Sequence, residues 1–158
     1  MAISEQRLSL FALITELEAD CRDVINVHVL PDHSLADDIG LEAFENLSRR
    51  AKLNSAEGCD ETLVINFLDI GDVVKVLLCN RSLLPKTLTK SLNGCIGALE
   101  RLPAVRNRVM HRRPLQFDDH PTVAEVTRLL LSGPKPLTRR QSHSSRITRP
   151  SVSFMQGF

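Results

Sequence analysis

Leu10, Leu13, Ile14, Leu17, Cys21, Val24, Ile25 and His28 recur at steps of three and four residues. That spacing places them on one face of a helix, behind a plausible N-cap at Ser4 and ahead of a stop at Pro31. A stripe of this length needs other helices to cover it. Asp37 and Asp38 predict the cap of a second helix with Leu41, Phe44, Leu47 and Ala51 inward, followed by a loop from Asn54 to Gly58. Residues 61–80 are rich in β-branched side chains, and D-I-G-D could turn a hairpin. A helix is preferred there, because Val64, Phe67, Leu68, Val74, Leu77 and Leu78 fit the 3.6-residue period. Thr87 caps a further stripe through Leu88, Leu92, Cys95, Ile96, Leu99, Leu102, Val105, Val109 and Met110, with a kink or fresh start expected at Pro103. Asp118, Asp119 and Pro121 open a last helix that buries Val123, Val126, Leu129 and Leu130 and stops at Gly133-Pro134. The expectation is an all-α bundle of about five helices.

A chain of 158 residues, 42% hydrophobic, holds one such domain, placed at residues 1–133. The net charge of +1 is unevenly spread. Residues 134–158 carry Lys135, Arg139, Arg140, Arg146 and Arg149 and no acid, so a tail of +5 follows a body of −4. The tail has no sustained period and reads as flexible, either a solvated linker or a basic arm for a polyanion or acidic partner. Cys21, Cys59, Cys79 and Cys95 form no C-x-x-C and have no His at zinc-ligand spacing, so neither a metal nor a cofactor is expected. The N-terminus MAISEQRLSL lacks a basic start followed by an apolar run, and no apolar stretch is long enough to span a bilayer. These features point to a cytoplasmic protein without a membrane segment.

The chemistry concentrates at Arg106-Asn107-Arg108-Val109-Met110-His111, which reads R-N-x-x-x-H at the end of an apolar stripe, with Pro114 just beyond. Arg grips phosphate with a planar fork of donors, and His moves protons near neutral pH. Together they can bind a phosphodiester and cleave it without a metal. Positions five apart on a helix point about 140° away from each other. Arg106 and His111 therefore share a site only if the Arg reaches round, the helix loosens, or two copies converge their helix ends. Asn107 and His111 share a face directly. As structural elements, Arg106, Arg108, His111, Arg112 and Arg113 would simply complement the negative end of a helix dipole. Of the other histidines, His28 reads as a core or edge residue, and His33 and His120 show no evident partner.

The segment 106–111 resembles the HEPN superfamily, whose signature is an Arg and a His separated by four to six residues, often with a polar residue after the Arg. NFLDIGDVVKVL upstream is similar to the penultimate-helix pattern of a branch near the Swt-type domains. The resemblance covers roughly residues 5–132. It implies a helical bundle that forms a homodimer with the motifs at the interface, and a metal-independent endoribonuclease needing no cofactor. His111 would be the general base or acid, Arg106 would hold the scissile phosphate, and Asn107 would orient the substrate or the pair. Asp69 or Asp72 would supply an acidic partner, or else serve as capping carboxylates. Arg108, Arg112, Arg113, Arg139 and Arg140 are the candidate RNA contacts. A toxin, phage-defence or stress-response setting follows by analogy, with an antitoxin or regulatory protein as a further partner. The alternative is a non-catalytic helical dimerisation or RNA-binding module of a larger system. The chain has no Tyr or Trp, so base stacking would fall to Phe or Arg.

Overall fold

The computed structural model describes residues 2–54 and 64–131. Every regular element among them is helical: α1 (Glu5–His28), α2 (Leu35–Ile39), α3 (Leu41–Leu53), α4 (Ile70–Cys79), α5 (Lys86–Gly94), α6 (Ile96–Met110) and α7 (Asp119–Leu131). Single 3-10 turns lie at Ile65–Phe67 and Arg81–Leu83. Residues 55–63 with Cys59, the stop at Gly133-Pro134 and the 134–158 tail with Arg139 and Arg140 lie outside the described residues.

α1 is the spine. Its stripe buries Leu10, Ile14, Leu17, Cys21, Val24 and Ile25, and α4, α6 and α7 pack around it. Ser4 caps α1 by accepting the Arg7 N–H. Leu99, Leu102, Val105 and Val109 bring the motif-bearing α6 into the same core, and Val123, Val126 and Leu130 close it from α7. Burial pushes the Cys21 thiol up to about 12 and that of Cys95 up to about 11. Both behave as small apolar fillers at neutral pH. Cys79, at the end of α4, is exposed.

The all-α expectation holds over the described residues, with two of the expected helices each split in two. In the second, Ser34 stands at the N-cap position of α2, so Asp37 and Asp38 fall inside its first turn. Gly40 then breaks the path with φ 91°, a left-handed value that suits a residue without Cβ. That break turns Leu41 out to 65% exposure, against the inward expectation, while Leu47 and Ala51 are buried. The other split falls at Cys95, after Gly94, and not at Pro103. Gly94 is a poor helix former and ends α5, whereas Pro103 stays inside α6. Thr87 sits inside the first turn of α5, which has Pro85 at its N-cap position.

Residues 64–79 are helical in character but do not form one helix. A 3-10 turn ends at Phe67, Leu68 is extended, and Asp69 restarts the chain as the N-cap of α4, accepting the Asp72 N–H at 3.0 Å. The carboxylate of Asp69 lies over Gly71, where a Cβ would stand 3.2 Å from Asp69 Oδ1 and 3.6 Å from Pro103. Gly71 thus lets α4 and α6 approach at the level of the motif.

Candidate functional site

The last turn of α6 is held from outside by α1. His111 is its C-cap, and Arg112 follows with φ 52°, the conformation usually taken by glycine at this position. The Arg113 N–H returns to the Arg108 carbonyl at 2.9 Å. Arg7 then donates to the Arg108, Val109 and Arg113 carbonyls at 2.7, 3.0 and 2.7 Å. One guanidinium therefore ties together carbonyls at and just beyond the helix end, where intrahelical donors run out. We expect Arg7→Ala to cost about 1.5–3 kcal/mol, the range for hydrogen bonds to a charged group. Amide exchange should accelerate at His111 and Arg113 while Leu17 stays protected.

Arg108 is also committed. It forms a two-pronged pair with Asp119, Nε to Oδ2 at 3.0 Å and Nη2 to Oδ1, and the Gln116 N–H donates to Oδ2 at 2.9 Å. Asp119 is fully buried, so Arg108, expected among the RNA contacts, works instead as a tie between α6 and α7. Asp119 is correspondingly more than a helix cap.

Arg106 opens onto a polar cavity of about 450 Å³ walled by α1, α3, the 3-10 turn and the start of α4. Arg22, Arg50, Asn66, Phe67, Asp69 and Asp72 line it with Arg106. The fold thus brings Arg106 together with both carboxylates anticipated as acidic partners, and Asp69 keeps its capping role as well. His111 is exposed and does not line this cavity. Asn107, Arg112 and Arg113 are exposed on the same helix end.

Glu18 lies behind the cavity, 3.6 Å from both Arg22 and Arg106. Burial holds its carboxyl above the usual range, Asp69 adds to this, and Arg22, Arg106 and the Ile70 N–H oppose it. Burial also raises the Asp72 carboxyl, reinforced by Asp69 and opposed by the Asp69 N–H and Lys75. Arg22 also donates to the Leu68 carbonyl, which pins the extended residue before α4. Two guanidinium N–H groups, Arg22 Nε and Arg106 Nε, are buried without an acceptor among the described residues.

Glu18, Arg22, Arg50 and Asn66 escaped the sequence reading. Only Glu18 left a signal: a carboxylate four residues after Ile14 and three before Cys21 interrupts the apolar stripe, with Arg22 one turn on. His33, expected to lack a partner, lies 3.0 Å from Asp38, which also accepts from Asn80. His28 is half-buried at the end of α1, and no cluster of metal-ligating side chains occurs among the described residues.

An apolar groove of about 260 Å³ lies beside the motif, formed by Ile3, Leu8, Phe11, Val109 and Met110 with Arg7 and Arg112. Phe11 is 46% and Leu8 51% exposed. No described helix is long and apolar enough to cross a membrane. Comparison with family models, curated proteins and solved structures returns no match.

Proposed function

We propose that this chain is a HEPN-like endoribonuclease that cleaves RNA without a metal and builds its site from two copies. The observation that carries this reading is the separation within one α6: Arg106 opens on a polar cavity lined by arginines and carboxylates while His111 stands free at the helix end. A second copy docked along α6 brings one chain's His111 to the other chain's Arg106. The exposed groove of Leu8, Phe11 and Met110 beside His111 supplies apolar surface for that contact.

His111 takes the proton of the ribose 2′-hydroxyl, and the 2′-oxygen attacks phosphorus. The bond from phosphorus to the 5′-oxygen breaks, and that oxygen leaves with a proton returned by an acid at the site. The products are a 2′,3′-cyclic phosphate and a 5′-hydroxyl. Arg106 binds the phosphate and stabilises the charge that grows on it. Asn107, one turn before His111, orients the imidazole or the ribose. Arg112 and Arg113 hold flanking phosphates, an interaction that weakens with salt. A role in toxin, phage-defence or stress-response systems, with an antitoxin or regulatory protein as partner, belongs to the same proposal and rests on the motif resemblance alone.

A second reading has its own support. Arg106 approaches Glu18 within its own chain, as expected of a non-catalytic helical dimerisation or RNA-binding module. Labelled RNA incubated in EDTA with wild type, Arg106→Ala and His111→Ala separates the two. The nuclease reading expects cyclic-phosphate ends from wild type, and a rate lower by about 10²–10⁴ in each variant. A folded wild-type dimer that cuts none of a varied RNA pool would establish the module instead.

A further inference from the structure

The polar cavity is larger than the grip of Arg106 on one phosphate requires. At about 450 Å³ this half-open cavity is comparable in volume to sites that hold a small molecule. Its lining divides by chemistry. Arg50 reaches it from α3. Arg22 and Arg106 line it as well, but Glu18 lies 3.6 Å from each and Arg22 also donates to the Leu68 carbonyl, so among the described residues Arg50 is the cation here that no carboxylate already engages. Phe67, half-buried at the end of the 3-10 turn, gives a narrow aromatic edge to a mostly polar lining, and the chain has neither Tyr nor Trp to do so. Asp72 lines it from the first turn of α4, and Asp69 lines it from the N-cap of the same helix. An ionised carboxylate only accepts, at about four lone-pair sites. The Asp69 N–H takes up part of that capacity and leaves the rest to a ligand.

A ligand for such a cavity carries an anion at one end, a flat face in the middle and paired N–H donors at the other. Among the nucleobases, guanine alone presents two adjacent donors, N1–H and the N2 amino group, that meet a carboxylate in parallel. Adenine and cytosine set an acceptor beside their amino group, and uracil sets its single N–H between two carbonyls. We infer that the cavity binds a guanine nucleotide, with the base edge on Asp72, the ring against Phe67 and the phosphate on Arg50 and Arg106. Asn66 is placed to meet the remaining polar edge of the base. The inference rests on the RNA reading only for the source of the nucleotide, a guanosine within a strand. The cavity chemistry is the same for a free guanine nucleotide.

The test titrates the full isotope-labelled chain with the 5′-monophosphates of guanosine, inosine, adenosine, cytidine and uridine, and with inorganic phosphate, at constant ionic strength. Guanosine monophosphate is expected to move the amides of Asn66, Phe67, Gly71 and Asp72. It should bind about 10- to 100-fold tighter than the adenosine, cytidine and uridine nucleotides, the range for one bidentate base contact. Inosine monophosphate lacks the N2 amino group and should fall between them, a comparison that needs no variant to fold. Asp72→Asn should erase the preference for guanine, and Arg50→Ala should weaken all the nucleotides alike. Equal binding of all the nucleotides and of phosphate would overturn the inference, as would shifts confined to another face.

Oligoadenylate RNA with and without one internal guanosine separates the strand from the free nucleotide. Tighter binding of the guanosine-containing strand than of free guanosine monophosphate identifies RNA as the source, and the reverse order identifies the free nucleotide. RNA cut irrespective of guanosine, with no response to guanosine monophosphate, would sink the inference and leave the nuclease standing. A guanine preference in a chain that cuts no RNA would uphold the inference and remove the nuclease.

Discussion

Asp119→Ala is expected to destabilise the protein by about 3–5 kcal/mol, the cost of leaving one member of a buried ion pair without its partner. Asp119 is fully buried and receives both prongs of Arg108 and the Gln116 N–H. Its loss strands a guanidinium that has little access to water and frees the turn that joins α6 to α7. For a chain of this length the melting temperature should fall by roughly 10 °C or more. Asp119→Asn keeps an acceptor for Gln116 and should cost less. Replacing Arg108 and Asp119 together by apolar residues should recover much of the loss, because the desolvation of both charges is then removed.

Acid should reveal the same pair. Burial by itself would raise the Asp119 carboxyl. The hydrogen bonds from Arg108 and the Gln116 N–H, with the Arg108 charge, outweigh burial and hold it below the usual range. The folded state therefore binds this proton more weakly than the unfolded chain. The stabilisation is present above the ordinary carboxylate value of about 3.9, and it disappears as pH falls through the lower folded value. Denaturant titrations should show Asp119→Ala losing this acid-side slope. Glu18 and Asp72 act in the opposite sense. Both are raised, so their ionised forms cost stability at neutral pH, and that cost is relieved as pH falls through their folded values.

The helical class and the core of α1, α6 and α7 were legible because an apolar period of three and four residues has one economical solution in water. Helix ends were less legible, since they depend on single backbone choices. Gly40 breaks a helix at a positive φ that the apolar pattern crosses without interruption. Pro103 suggested a break that does not occur, and Gly94 gave little warning of one that does. At the candidate site, the motif located Arg106 and His111, and the helical angle between them left open whether the Arg reaches round, the helix loosens or a second copy brings them together. In this chain Arg106 lines the cavity and His111 does not. What surrounds Arg106 was hidden because Glu18, Arg22, Arg50 and Asn66 come from separate elements, and side chains distant in sequence carry no local pattern. Arg7 was hidden for the same reason: it clamps a helix end about a hundred residues away through backbone carbonyls, which no residue pattern records.

On the proposed two-copy nuclease reading, mixing two inactive variants should restore RNA cleavage, and that result separates a composite site from a site within one chain. Arg106→Ala and His111→Ala are each expected to lose about 10²–10⁴ of the rate. In a two-fold dimer whose sites pair Arg106 of one copy with His111 of the other, a mixed dimer of the two variants contains one intact site and one site lacking both groups. Random exchange makes half of the dimers mixed, so the equimolar mixture should recover about a quarter of wild-type activity. Recovery should appear only after subunit exchange, and dilution that dissociates the dimer should abolish it. A site contained in one chain gives no recovery at any ratio, because neither variant ever holds both groups. The exposed Leu8 and Phe11 provide the control. Leu8→Glu with Phe11→Glu places charges on the proposed contact and should reduce both the dimer fraction and the recovered activity, while the core on the opposite face of α1 stays intact. Complementation that survives this charged face would move the contact elsewhere on the bundle and leave the pairing of Arg106 with the other copy's His111 in place.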